Sequence, residues 1–185
     1  PYYMLGVQYY ESFIKAYIQE NRRIVQQVLN LTKTEKQDLF DFLQWNAQPE
    51  NRNYFYNYVY DNCATRIRDV VDSLFSQVDY NKSYVIDDLT IRDLMDRYLQ
   101  EQPWGDLGID FCLGMGIDKV ATGYQYMYMP EFIEKAFSSA TVASDDFTKN
   151  LVLETRIINK PDPTPEKRIS INPFWTFLVL FLLFA

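Results

Sequence analysis

The chain has 185 residues, a formal net charge of -7, fifteen tyrosines, two cysteines and no histidine. This length suits one domain with an adequate core. Acidic and basic residues are mixed throughout without a basic stripe, which excludes nucleic acid as a partner, and two distant cysteines without histidine build no metal centre, so neither metal nor cofactor is expected.

From Tyr2 to Tyr10 the chain is aromatic without a clear period, and no element is assigned. Tyr10, Phe13, Ile14, Tyr17 and Ile18 then recur at helical spacing and predict an amphipathic helix ending near Asn21. Arg22 to Leu31 alternates as a strand. Thr32 with Glu35 forms a capping box, and Leu39, Phe42, Leu43 and Asn46 make the stripe of a helix that stops before Pro49. After a loop to Asn53, tyrosines occupy alternate positions from Tyr54 to Tyr60, with Phe55, Asn57 and Val59 between them, which is the period of a strand. Asp61 and Asn62 end that run and are good N-cap residues. Ile67, Val70, Val71 and Leu74 follow at helical spacing, so a helix begins at or next to Cys63.

Gln77 to Asp88 reads as polar and irregular, and Thr90 with Asp93 caps a helix carrying Ile91, Leu94, Met95, Tyr98 and Leu99. Pro103 to Asp118 mixes four glycines with apolar residues, which predicts a short helix whose glycines allow close packing. Met129-Pro130 starts a helix with proline in its first turn and a core stripe of Phe132, Ile133, Ala136, Phe137 and Ala140. Leu151 to Ile158 alternates as a late strand. Lys160 to Arg168 is a charged, proline-rich linker. Phe174 to Ala185 is almost purely apolar; as a helix it would rise roughly 18 Å at ~1.5 Å per residue, and a bilayer core needs about 20 residues. The run ends at full hydrophobicity and the chain begins without Met, so a longer protein is expected, with residues 173–185 the start of a transmembrane helix; a short C-terminal core or interfacial helix is the alternative. The expected fold is α+β, with the Ile67, Val70 and Leu74 stripe packed on a small sheet that includes Tyr54 to Tyr60.

Two readings of Cys63 stay open at this level. A thiol in a helix's first turn faces unpaired backbone N–H groups and the positive end of the dipole, the setting in which nucleophilic cysteines are presented and in which an oxyanion can be held. A lone cysteine on an apolar stripe is more often core filler than a nucleophile. Arg66, one turn on, is placed to hold a substrate anion or to pair with a neighbouring carboxylate. Cys63 and Cys112 could also form a disulfide, and two cysteines do not fix the redox compartment.

The run Asp61-Asn62-Cys63-Ala64-Thr65-Arg66-Ile67-Arg68-Asp69, with Tyr56-Asn57-Tyr58 before it, resembles the signature of the Lnb-type N-terminal periplasmic domain family. Asn21-Arg22, Leu29 to Thr32, Asp110 to Gly114, Asp118-Lys119 and Met129 to Glu131 add further similarity. The resemblance implies a permuted papain-like, NlpC-like domain with a small antiparallel sheet and several helices. It would occupy residues 1–159 at the periplasmic face of the inner membrane, with 160–172 as linker and the membrane helix beyond. It implies transfer of an acyl chain from a phospholipid to the α-amino group of a lipoprotein through a thioester on Cys63, with Asn62, Arg66 and Asp69 matching the motif in unassigned roles. The base would be a histidine on a strand preceding these residues, so the chain as given is expected to be inert. An envelope cysteine amidase or peptidase of NlpC type, and a non-catalytic binding domain, are the alternatives.

Overall fold

The computed structural model describes residues 2–75, 77–86, 88–143, 147–162 and 172–184. In chain order the elements are β1 (Tyr2–Met4), α1 (Tyr10–Gln19), β2 (Ile24–Leu29), α2 (Lys33–Asn46), β3 (Asn53–Phe55) and α3 (Cys63–Leu74). Next come β4 (Val78–Asp79), a 3-10 turn at Lys82–Tyr84, α4 (Ile91–Leu99), α5 (Pro103–Leu113), a second 3-10 turn at Gly114–Ile117 and α6 (Gly123–Tyr126). The last are α7 (Pro130–Ser139), β5 (Thr141–Ala143), β6 (Thr148–Asn150), β7 (Val152–Asn159) and α8 (Pro173–Phe184). The fold is α+β, with eight α-helices and three small antiparallel sheets among the described residues: β1–β3, β2–β7 and β4–β5–β6. The described residues fall into two compact units, one within Pro1–Val85 and Met127–Pro163, the other within Ile86–Tyr126 and Thr164–Ala185. Most of the expected linker, 160–172, lies outside the described residues.

In the first unit, local signals read from sequence become visible bonds. The Thr32 hydroxyl accepts from the Glu35 N–H at 3.3 Å while the Glu35 carboxylate accepts from the Thr32 N–H at 2.6 Å, closing the capping box of α2. Lys149 adds an ion pair to Glu35 at 2.7 Å. Helix α7 begins at Pro130 and buries Phe132, Ile133, Ala136 and Phe137, the expected stripe. Arg23 grips Glu134 of α7 with two bonds at 2.7 and 2.8 Å, and Gln27 of β2 donates to the Glu134 carbonyl at 2.9 Å, so β2, paired antiparallel to β7, is tied to α7.

Three expectations change. The strand predicted over Tyr54 to Tyr60 ends at Phe55, because the Asn57 side chain accepts from the N–H groups of Val59 and Tyr60 at 3.1 and 3.0 Å and folds the chain into a turn. Asn57 and Asp61 close that turn with reciprocal backbone bonds of 2.9 and 3.0 Å. β3 pairs instead with β1, in the aromatic stretch that had no assignment, with Tyr3 opposite Tyr54. Helix α3, secondly, buries Ala64, Thr65, Arg68 and Val71, not the Ile67, Val70 and Leu74 stripe; Ile67 is exposed. Thirdly, Gln77 to Asp88 contributes a strand, β4, that pairs with β5.

In the second unit, the Thr90–Asp93 capping box starts α4 as expected. The glycines of Pro103 to Asp118 do not serve close packing: a Cβ added at Gly108, Gly114 or Gly116 would meet nothing within 4 Å. Gly114 is needed for its backbone, since its φ of +59° ends α5 in a region that side chains avoid. Arg92 of α4 pairs with Asp110 of α5 and, at 2.6 Å, with Asp118, and donates to the Gly114 carbonyl at 2.8 Å. Beyond it, carboxylate oxygens of Asp96, Asp106 and Asp110 lie within 4.8 Å of one another, and one oxygen each of Asp96 and Asp106 is buried with no hydrogen-bond partner.

Burial, then the charges of Asp106 and Asp110, push the Asp96 carboxyl up to about 6 against the partial relief that Arg92 gives. Its folded-state value lies above its unfolded one, so the folded chain holds more protons between pH ~4 and ~6 and stability falls as pH rises through that window. Asp96→Asn, which cannot ionise, is therefore expected to raise the melting midpoint at pH 7 and leave it nearly unchanged at pH 4. Thermal denaturation at the two pH values measures this, and an equal shift at both would assign the effect to packing.

Among the described residues no helix is long and apolar enough to cross a membrane. Helix α8 covers the run read as the start of such a span, and most of its side chains are exposed.

Candidate active site

The turn that breaks the tyrosine run delivers Asn62 to the start of α3. Asn62 is buried, with 6% of its surface exposed, and its amide is fully used. The oxygen accepts from the N–H groups of Ala64 and Thr65 at 2.8 and 2.9 Å. The nitrogen donates to the carbonyls of Tyr58 at 2.7 Å and Tyr128 at 2.9 Å. Thr65 reciprocates, its hydroxyl accepting from the Asn62 N–H at 2.8 Å, so a capping box starts this helix too. Asn62 is thereby placed as the clamp that joins the turn, the helix and the segment before α7. With four bonds made, no donor or acceptor of its amide is left for a substrate.

This clamp alters the oxyanion expectation. The N–H groups of Ala64 and Thr65 go to Asn62's side chain, and that of Arg66 to the Asn62 carbonyl at 3.0 Å. Among the described residues the N–H of Cys63 itself has no acceptor. One first-turn donor, on the residue that carries the thiol, is thus left to meet a developing negative charge.

Cys63 is a free, exposed thiol that lines a cavity of about 410 Å³, within the range of small-molecule sites. Its wall is mostly apolar, with Leu29 from β2, Leu39 and Leu43 from α2, Ile67 and Val70 from α3, and Phe137 from α7, and it also includes Asn46, Asn51 and Arg52. Ile67 and Val70 of the stripe expected to form the core contact of α3 instead face this space, while Ala64, Thr65, Arg68 and Val71, roughly a third of a turn round, are buried. Leu39 and Leu43 were legible as a helical stripe but not as cavity wall, because periodicity marks which face is apolar and not what covers it.

Arg66 also lines the cavity. It grips Asp61 with two bonds of 2.6 and 2.9 Å, and its guanidinium lies 4.2 Å from the centre of the Tyr54 ring. Of the two roles open from sequence, the structure shows the carboxylate pair. Arg66, Asn46 and Val70 are shared with an adjoining polar cleft of about 450 Å³ lined also by Tyr60, Asp61 and Asp69. Asp69 reaches that cleft and not the cavity; it pairs with the buried Arg68 at 2.6 Å. Of the four motif residues, Cys63 and Arg66 therefore meet at the cavity, Asn62 lies behind them, and Asp69 stands apart.

Two residues not singled out from sequence complete the surroundings of the thiol. Burial pushes the phenols of Tyr54 and Tyr56 above the ordinary tyrosine range, and charge on Cys63 adds to the effect in both. Both stay protonated at neutral pH and are hydrogen-bond donors within electrostatic reach of Sγ. Their alternation was read as a strand face, and nothing in that pattern marked them as neighbours of Cys63.

Compared with known families, residues 2–97 match the model described as the Lnb N-terminal periplasmic domain, a range that holds Asn62, Cys63, Arg66 and Asp69. Neither the curated proteins nor the solved structures include a significant match to this chain.

Proposed function

The chain belongs to the Lnb N-terminal periplasmic domain family, and from that premise we propose that it carries the nucleophile of an acyltransferase that forms a thioester on Cys63. The observation that carries this reading is the exposed thiol at the start of α3 opening on an apolar cavity. An acyl chain fits such a wall, since each buried methylene contributes about 0.8 kcal/mol.

In this reading Sγ attacks the ester carbonyl of a phospholipid and the carbonyl oxygen takes up negative charge near the Cys63 N–H. The carbon–oxygen bond to the glycerol breaks, and the lysophospholipid leaves as an alcohol that takes up the proton lost by the thiol. The free α-amino group of a lipoprotein then attacks the thioester, an amide forms and Sγ regains a proton. No histidine occurs in residues 1–185, so the proton carrier is placed outside them, in the full protein. Asn62 positions the helix start, Arg66 and Asp61 form the polar edge shared by cavity and cleft, and Asp69 takes no part in bond making. The domain is placed at the periplasmic face of the inner membrane, and a permuted papain-like arrangement is the fold reading that goes with this chemistry. An amidase of NlpC type would use the same thiol with water as acceptor, and the apolar wall favours the acyl donor over it.

The test is capture of the intermediate. The full protein, incubated with phospholipid vesicles and no amine acceptor, is expected to gain the mass of one acyl chain, located on the peptide containing Cys63 and removed by neutral hydroxylamine. An adduct that survives hydroxylamine, or one that forms equally on Cys63→Ala, would overturn the proposal.

A further inference from the structure

Helix α5 has two chemically different sides. Asp106, Ile109, Asp110 and Leu113 fall on one, where Arg92 of α4 pairs with Asp110. Trp104, Leu107 and Phe111 fall on the other at helical spacing and Met115 extends them past the helix end. All four are exposed, Phe111 at 90% and Met115 at 86%, and no charged residue interrupts the stripe. A contiguous apolar surface of this kind marks a contact with something.

The neighbour of that stripe indicates what covers it. The ring of Trp104 meets Phe177 of α8 with centroids 6.0 Å apart. Helix α8 is apolar on every side, and Phe174, Trp175, Phe181, Leu182 and Leu183 are exposed, so the described residues do not bury it. A helix that is apolar all round belongs in a protein core or in lipid. Any medium that surrounds α8 also reaches the α5 side chains beside it. Tryptophans at 104 and 175, one on each helix, are the residue type that favours the boundary between headgroups and acyl chains.

We propose that the Trp104, Leu107, Phe111 and Met115 stripe is a membrane-contacting face that lies in the interfacial region of the bilayer beside α8. α5 is then an in-plane anchor: its apolar side dips into the headgroup boundary while Asp110 on its other side stays paired with Arg92. The anchor acts independently of the chemistry at Cys63.

The test uses the full protein with Cys63→Ala, Cys112→Ala and replacement of every cysteine outside residues 1–185 as background, so that a single cysteine can be placed by Phe111→Cys, Met115→Cys or, as reference on α8, Phe181→Cys. Each is labelled with the environment-sensitive fluorophore NBD and mixed with phosphatidylethanolamine–phosphatidylglycerol vesicles. At 111 and 115 the emission is expected to shift to the blue on adding vesicles and to be quenched by lipids brominated in the acyl chains. Phe111→Glu in the parent protein is expected to weaken vesicle binding about tenfold, the loss of one buried aromatic side chain. A response at 181 with none at 111 or 115 would overturn the proposal, as would a blue shift at 111 that rises with protein concentration without vesicles, which would assign the stripe to a second copy. Because the background lacks the thiol, failure here leaves the acyl-transfer reading untouched, and capture of a thioester would not rescue this one.

Discussion

Cys63→Ser in the full protein is expected to lower acyl transfer by more than about 1000-fold, since removing a covalent nucleophile commonly eliminates all but the contribution of binding and the remaining donors. The fold should not change. Cys63 is exposed, its thiol makes no hydrogen bond among the described residues and it is not part of the buried face of α3, so the substitution should move stability by no more than about 0.5 kcal/mol. Serine keeps the size and the backbone N–H, which separates the loss of the nucleophile from damage to the site. Two measurements decide the matter: the rate of acyl transfer to an amine acceptor, and the denaturant midpoint. Unchanged transfer with an unchanged midpoint would make Cys63 a bystander and favour a binding role for the cavity. Loss of both would show that the thiol supports the fold.

How far the sequence could be read depended on whether an element is specified locally. The box Thr32–Glu35, the caps at Thr90 and Asn62, and the proline at the start of α7 each need only residues within one turn, and each stands where its own chemistry puts it. The tyrosine run failed because alternation counts side-chain faces and takes no account of Asn57, whose amide oxygen captures two backbone N–H groups and outcompetes the ladder. The role of α3 failed for a related reason. The buried side of α3 carries Thr65 and Arg68 beside Ala64 and Val71, while the apolar Ile67 and Val70 line a cavity whose other walls come from elements distant in sequence, so apolar periodicity picked the wrong side. The site was legible as a residue and not as a place: Cys63 stood out by its position after two caps, whereas the cavity wall comes from six elements, β1, β2, β3, α2, α3 and α7, that no short pattern joins. The partner of Arg66 was half legible. A carboxylate within five residues was in view, but Asp61 read as the end of a strand.

Asn62→Ala is expected to be among the most destabilising single changes in the chain, and the reason lies in how many groups one amide satisfies. Removing its oxygen leaves the N–H groups of Ala64 and Thr65 without their acceptor, a lost N-cap that costs about 0.5–2 kcal/mol. Removing its nitrogen leaves the carbonyls of Tyr58 and Tyr128 without their donor beside a buried residue, at about 1–3 kcal/mol for such groups. Together these make a loss of about 2–5 kcal/mol, a large fraction of the stability of many domains. Asn62→Asp divides the two contributions. The carboxylate still accepts from both N–H groups and favours the helix N-terminus, but it has no proton to give and turns its charge toward two carbonyl oxygens. It is expected to fall between Ala and the parent, about 2–3 kcal/mol below the latter, because the tie to Tyr58 and Tyr128 is the part it loses. Denaturant unfolding of the three proteins gives the order. The rate at which iodoacetamide modifies Cys63 in the folded state reports whether the helix start keeps its shape. If Asn62→Ala unfolded at the parent's denaturant concentration, the clamp would contribute nothing, and the bond network at the start of α3 would not be what holds the thiol at the edge of the cavity.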